Sequence, residues 1–213
     1  FQSAKNVYKT KGKQAAKSAF ERVYTCGSEK VKAEAKQWWA NQEKTTKNQV
    51  RKQQKQFKCL KTLVGHIESV RSVAYSHDGT KIISGSDDGT IKIWDANTGQ
   101  CLKTLKGHSD CVYSVAYSPD GTKIISGSSD KTVKIWNANT GECLKTLKGH
   151  SSYVRPVAYS LDGTKIISGE FDKTIKIWDA NTGECLKTLR GHSDWVLSVA
   201  YSPDGTKIIS GSE

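Results

Sequence analysis

From Cys59 onward the chain alternates short apolar runs with clusters of turn-forming residues. In the stretch 101–142 the runs are "CLKTL", "VYSVAYS", "KIISGS" and "TVKIWNA"; between and after them stand Gly107-His108, Pro119-Asp120-Gly121, Ser129-Asp130-Lys131 and Asn139-Thr140-Gly141. Short runs rich in Val, Ile and Tyr, bounded by Gly, Asp and Asn, predict β-strands. Tight turns make neighbouring strands antiparallel, so each such stretch predicts one four-stranded sheet.

The pattern recurs every 42 residues, in copies 59–100, 101–142 and 143–184 and an unfinished 185–213. The first two copies agree at 31 of 42 positions, the second and third at 33. A period near 40 marks a circular or stacked array, because one sheet cannot cover both of its own faces.

Residues 1–58 are different in kind. They contain no Pro, two Gly and long stretches of Lys, Gln, Glu and Ala, which favour helix. Val7, Tyr8, Ala15, Ala16, Ala19, Phe20, Val23 and Tyr24 recur at helical spacing. Gly27-Ser28 can end that helix and begin another carrying Val31, Ala35, Trp38 and Trp39, which predicts a helical hairpin. The tail "NQEKTTKNQVRKQQKQFK" has little to bury and is expected to fade into a linker. Two domains follow, a basic helical segment over 1–58 and the repeats over 59–213.

Charge follows the same division. Residues 1–58 hold fifteen Lys and Arg against four Glu, a balance of +11 within the chain's total of +12. This permits contact with nucleic acid or an anionic membrane surface. No recognised nucleic-acid motif accompanies it, so a solvated lysine-rich arm is favoured. The repeat region is nearly neutral. Four of six cysteines fall at the repeat period, which suits structural thiols in a reducing compartment. With neither an apolar spanning run nor a signal peptide, a cytoplasmic protein is expected.

The dipeptide Gly-His some 28 residues before Ile-Trp-Asp resembles the WD-repeat family of β-propellers, over residues 59–213. The resemblance implies an all-β propeller of about 3.5 blades, an incomplete ring, behind the basic helical segment. It also implies one hydrogen-bonded tetrad per blade: His66, Ser84, Asp88 and Trp94; His108, Ser126, Asp130 and Trp136; His150, Ser168, Asp172 and Trp178. Ser84 is chosen over Ser86 because the position of Ser86 becomes Glu170 in the third copy. His192 and Ser210 begin a fourth set.

Histidines at one repeated place radiate around a ring and cannot converge on one ion, so neither a metal nor a cofactor is expected. No GxSxG or phosphate-binding glycine loop occurs, and no catalytic residue is assigned. The copies differ mainly after each Gly-His and before the turn into the last strand. Strand parity places both clusters on one rim. Arg71, Tyr113, Tyr153, Arg155, Phe171 and Trp195, set among the acids Glu68, Asp110, Glu170 and Asp194, have the composition of an interface hot spot. The expected function is a non-catalytic scaffold binding other proteins on that rim. Two alternatives are the regulatory propeller of a larger enzyme and an RNA-associated scaffold using the arm. With no Met and a pattern interrupted at Glu213, the chain reads as a piece of a longer protein; either further blades follow or two chains self-associate to close one ring.

Overall fold

The computed structural model describes residues 29–54 and 59–213. The helix expected over 7–24 lies outside them. Chain contacts separate Phe1–Leu60 from Lys61–Glu213. In the first unit, Glu29–Gln54 forms one helix, α1. The expected fading after Trp39 is overturned: the helix runs on to Gln54. That stretch has no Gly or Pro to interrupt it, and its composition is rich in residue types that favour helix. Glu29 pairs with Lys32 at 3.0 Å in the first turn. No described helix is long and apolar enough to cross a membrane.

The second unit is built of antiparallel sheets. The first runs in the order β1 (Val70–Tyr75), β2 (Lys81–Ser86), β3 (Ile91–Asp95), β4 (Cys101–Leu105). The second is β5 (Val112–Tyr117), β6 (Lys123–Ser128), β7 (Val133–Asn137), β8 (Cys143–Leu147), and the third is β9 (Val154–Tyr159), β10 (Lys165–Glu170), β11 (Ile175–Asp179), β12 (Cys185–Leu189). A fourth sheet holds only β13 (Val196–Tyr201) and β14 (Ile208–Ser212). The result is an open, incomplete ring of about three and a half blades.

Each of the three complete sheets takes three strands from one repeat and its fourth from the next. The "CLKTL" run at 101–105 pairs with β3, and those at 143–147 and 185–189 pair with β7 and β11. The first such run, residues 59–63, has no preceding sheet among the described residues and forms no strand.

Blades meet through apolar faces. Ile83, Ile91, Ile93 and Leu105 of the first pack against Val112, Val115, Ile124 and Trp136 of the second, and the next junction repeats the arrangement. Close approach depends on glycine in the second strand. A Cβ added at Gly127 would stand 2.9 Å from the Cγ1 atoms of both Val154 and Val157. Neighbouring inner strands are also stitched by serine: Val115 N donates to Ser72 Oγ and Val157 N to Ser114 Oγ, each at 3.2 Å. Pro156 stands where the third blade would repeat that serine; β9 is an inner edge strand, where proline is tolerated, and the pairing that Ser72 makes with Gly85 and Ser114 with Gly127 is missing at Pro156.

Candidate partner-binding rim

The rim is held by a buried polar cluster in each blade. In the first, Trp94 Nε1 donates to Ser84 Oγ at 2.8 Å, His66 Nε2 meets the same oxygen at 2.7 Å, and His66 Nδ1 meets Asp88 Oδ2 at 2.8 Å. The second blade repeats this with Trp136, Ser126, His108 and Asp130 at 2.7–2.8 Å. One proton arrangement satisfies every group: Trp gives to Ser, Ser gives to His Nε2, and His Nδ1–H gives to Asp. Burial opposes the charge on Asp88 and Asp130, yet hydrogen bonds from His66, His108 and the threonines Thr90 and Thr132 outweigh it and hold both carboxyls well below the usual range. These contacts tie the Gly-His loop to the turn after the second strand. Asp87 N also donates to Ser69 O at 2.9 Å, so the two variable clusters lie together.

The third blade departs from this plan. Trp178 still bonds Ser168 at 2.8 Å and His150 Nε2 meets Ser168 at 2.6 Å, but His150 Nδ1 now meets Glu170 Oε2, and Ser152 N donates to the other Glu170 oxygen. Glu170 was expected on the binding rim. Instead it is fully buried and belongs to the cluster, because its position faces inward in every blade: Ser86 and Ser128 are also fully buried. The longer Glu side chain reaches the imidazole first. Asp172, expected to hold His150, instead accepts from Thr174 N and Oγ1 at 2.8 and 2.6 Å and from Ser151 Oγ at 3.3 Å.

Burial, together with the adjacent Asp172 carboxylate, pushes Glu170 up to about 9. Burial also works against the charge on Asp172, but bonds from Glu170 and Thr174 bring it down to about 2. His150 is lowered to about 4 by burial. At neutral pH the cluster is therefore a neutral imidazole and a protonated Glu170 beside an ionised Asp172. Their ligand-type atoms lie within 4.8 Å of one another, the one such trio among the described residues. Its own protons already satisfy these groups.

Above this layer the exposed residues gather unevenly. Register shifts at Val70/Ser72, Val112/Ser114 and Val196/Ser198 free the second residue of each inner strand from the ladder and turn it outward. Those residues are Arg71, Tyr113 and Leu197, with Arg155 the equivalent in the third blade. Phe171 stacks on Trp195 with centroids 4.4 Å apart and planes at 7°, and Tyr153 lies 5.7 Å from Phe171. The Arg155 guanidinium sits 5.4 Å from the Phe171 ring centre and 5.5 Å from that of Tyr113. Tyr153 and Trp195 remain 41% and 42% exposed, so this aromatic row is presented to solvent.

Arg71 is drawn into a fork on Asp87, its Nε 2.8 Å from both carboxylate oxygens and its Nη2 bonded to one of them. Asp110 and Asp194 accept from the next backbone N–H, of Cys111 and Trp195, and so shape their own loops. Glu68 is exposed on the first blade, with no side-chain contact to the aromatic row among the described residues. A hollow of about 500 Å³ opens beside the row, lined by Arg71, Tyr113, Arg155, Pro156 and Leu197 among others. Sequence reasoning passed over Asp87, Pro156 and Leu197 as site residues, although all three differ between copies.

A family model described as "WD domain, G-beta repeat" matches residues 57–95, 99–137, 141–179 and 183–213. Among curated proteins, the vegetative incompatibility protein HET-E-1 of Podospora anserina is 61% identical over 41 residues, 19% of this chain and 3% of that protein. Periodic tryptophan protein 2 of Saccharomyces cerevisiae is 49% identical over 35 residues, 16% of this chain and 4% of its own length. Human pre-mRNA-processing factor 17 is 40% identical over 43 residues, 20% of this chain and 7% of its own. Each alignment covers about one repeat and a small part of the relative.

Proposed function

Since this chain belongs to the WD40 family, with four repeats matched across most of its length, we propose that it is a non-catalytic platform that binds other proteins on the rim carrying Tyr153, Phe171 and Trp195. The observation that supports this is the aromatic row. Three large rings lie in contact at a solvent-exposed edge, two of them stacked, where burial by a partner would gain most. Arg71, Tyr113 and Arg155 extend the surface toward the hollow, and Glu68, Asp110 and Asp194 border it. The opposite rim, made of the Asp-Gly-Thr-Lys and Ala-Asn-Thr-Gly turns, is nearly invariant between copies and offers no such anchors. A cytoplasmic setting belongs to the same proposal, consistent with the free thiols of Cys101, Cys111, Cys143 and Cys185.

Selection of a displayed random-peptide library against the whole chain tests the proposal. Enriched peptides should bind at least tenfold more weakly to a Phe171→Ser, Trp195→Ala double variant and equally well to Lys165→Ala on the opposite rim. Serine is the second blade's residue at the position of Phe171, so the first change is compatible with folding. Peptides that bind the double variant as tightly as the parent would overturn the rim assignment.

A further inference from the structure

The first and third blades carry arginine at the same place, and the structure treats the two differently. Arg71 is neutralised within its own blade, because the residue before the turn aspartate is Asp87 and the two side chains meet as a fork. In the third blade that position holds Phe171. Arg155 lies over the Phe171 and Tyr113 rings instead, and among the described residues it makes no ion pair. Blade one thus shows what an arginine at this site grips, and blade three presents the same arginine with the carboxylate replaced by a ring.

We propose that Arg155 receives an aspartate or glutamate side chain from an acidic segment of a partner protein, held as Asp87 is held by Arg71, with apolar partner side chains laid on Phe171 and Trp195. Cation–π contact with the two rings holds the guanidinium beside them without occupying its N–H donors in an ion pair, which leaves them for a bidentate carboxylate. The hollow beside Arg155 supplies the room. The carboxylate next to Phe171, Asp172, is engaged by Thr174 and Ser151, and no carboxylate pairs with Arg155 among the described residues. The surface therefore offers an uncompensated guanidinium beside a row of rings, and its complement is a short segment in which acidic and large apolar residues alternate.

This rests on the rim reading above, and the test separates the two. The probes are a fluorescent peptide alternating Glu and Phe and its counterpart with Gln for every Glu, titrated by anisotropy against the 213-residue chain. Arg155→Gln should weaken the Glu peptide about tenfold, the scale of a charge-assisted pair, and leave the Gln peptide within about twofold. Lys165→Gln on the opposite rim is the control: it removes the same unit of positive charge away from the row, so the Glu peptide should bind within about twofold of the parent. The basic segment 1–58 attracts acidic peptides equally in all three proteins and cancels from the comparison. If Arg155→Gln shifts both peptides alike or neither, while Phe171→Ser weakens both, the rim binds without a carboxylate and the inference is overturned alone. If Phe171→Ser also changes neither, the rim reading falls with it. Melting curves of each variant confirm that it is folded.

Discussion

Replacing Glu170 by serine, the residue of the first two blades, is expected to stabilise the chain at alkaline pH and to flatten its pH dependence. The buried Glu170 carboxyl is pushed to about 9, against an ordinary value near 4.5. Between those limits the folded chain holds a proton that the unfolded chain has released. Stability must therefore fall as pH rises, by at most about 1.4 kcal/mol per pH unit. The contribution is fully present below about 4.5 and lost by about 9, a ceiling of roughly 6 kcal/mol. Relaxation around the carboxyl and sharing of the proton with Asp172 reduce this, and a loss of about 2 kcal/mol between pH 5.5 and 8.5 is the working figure. Asp172 adds no slope in that interval, because its folded value of about 2 and its ordinary 3.8 both lie below it. His150, at about 4 against an ordinary 6.5, adds an opposing rise of about 1.4 kcal/mol above pH 5.5, complete by about pH 7.5, because there the unfolded chain takes up a proton that the folded imidazole does not.

Serine at 170 has its bonds waiting. In the first two blades Ser86 and Ser128 accept from the backbone N–H of Asp88 and Asp130 at 3.1 Å, and Asp172 would be free to take His150 as Asp88 takes His66. The assay is thermal unfolding followed by circular dichroism at pH 5.5, 7.0 and 8.5. The variant's advantage in Tm should grow steadily with pH. An advantage equal at pH 5.5 and 8.5 would refute the buried neutral carboxyl.

Ser126→Ala strands the N–H of Trp136 and one nitrogen of His108 in the core and should cost about 2–3 kcal/mol of unfolding free energy, read from urea melts. Gly127→Ala drives a methyl into Val154 and Val157 and should cost about 1–3 kcal/mol. Gly121→Ala, in open space at φ +71°, should cost only about 1 kcal/mol of backbone strain. The order of those two in the same melt checks the close blade junction. The hydroxyls of Tyr117, Tyr159 and Tyr201 are buried without a partner among the described residues, so Tyr159→Phe should leave Tm unchanged or raise it.

The period, the strands and the turns were legible because packing and turn chemistry leave them little freedom. Strand alternation and Asp-Gly turns survive in every copy, and self-comparison makes them visible without any second protein. Divergence was the less faithful guide. It marks positions that tolerate change, and Glu170 changed while remaining inside. The alternation of β10 held the correction: residues two apart in a strand share a face, so a buried Ser168 implies a buried residue 170. Asp87 was overlooked for the opposite reason, since its partner Arg71 is sixteen residues away and only the pairing of β1 with β2 brings them together. Helix α1 ran beyond its expected end because composition that buries little can still sustain a helix once no residue interrupts it.

Because each sheet borrows its last strand from the following copy, the boundary of the 42-residue sequence unit never coincides with the boundary of a folded one. Inserting or deleting one whole unit at any of the recurring cysteines leaves every complete sheet with its four strands and every junction with the same Ile and Val faces. The array can thus change length by whole units without inventing a new contact, and the residues that distinguish one unit from another travel with it to a new place on the ring.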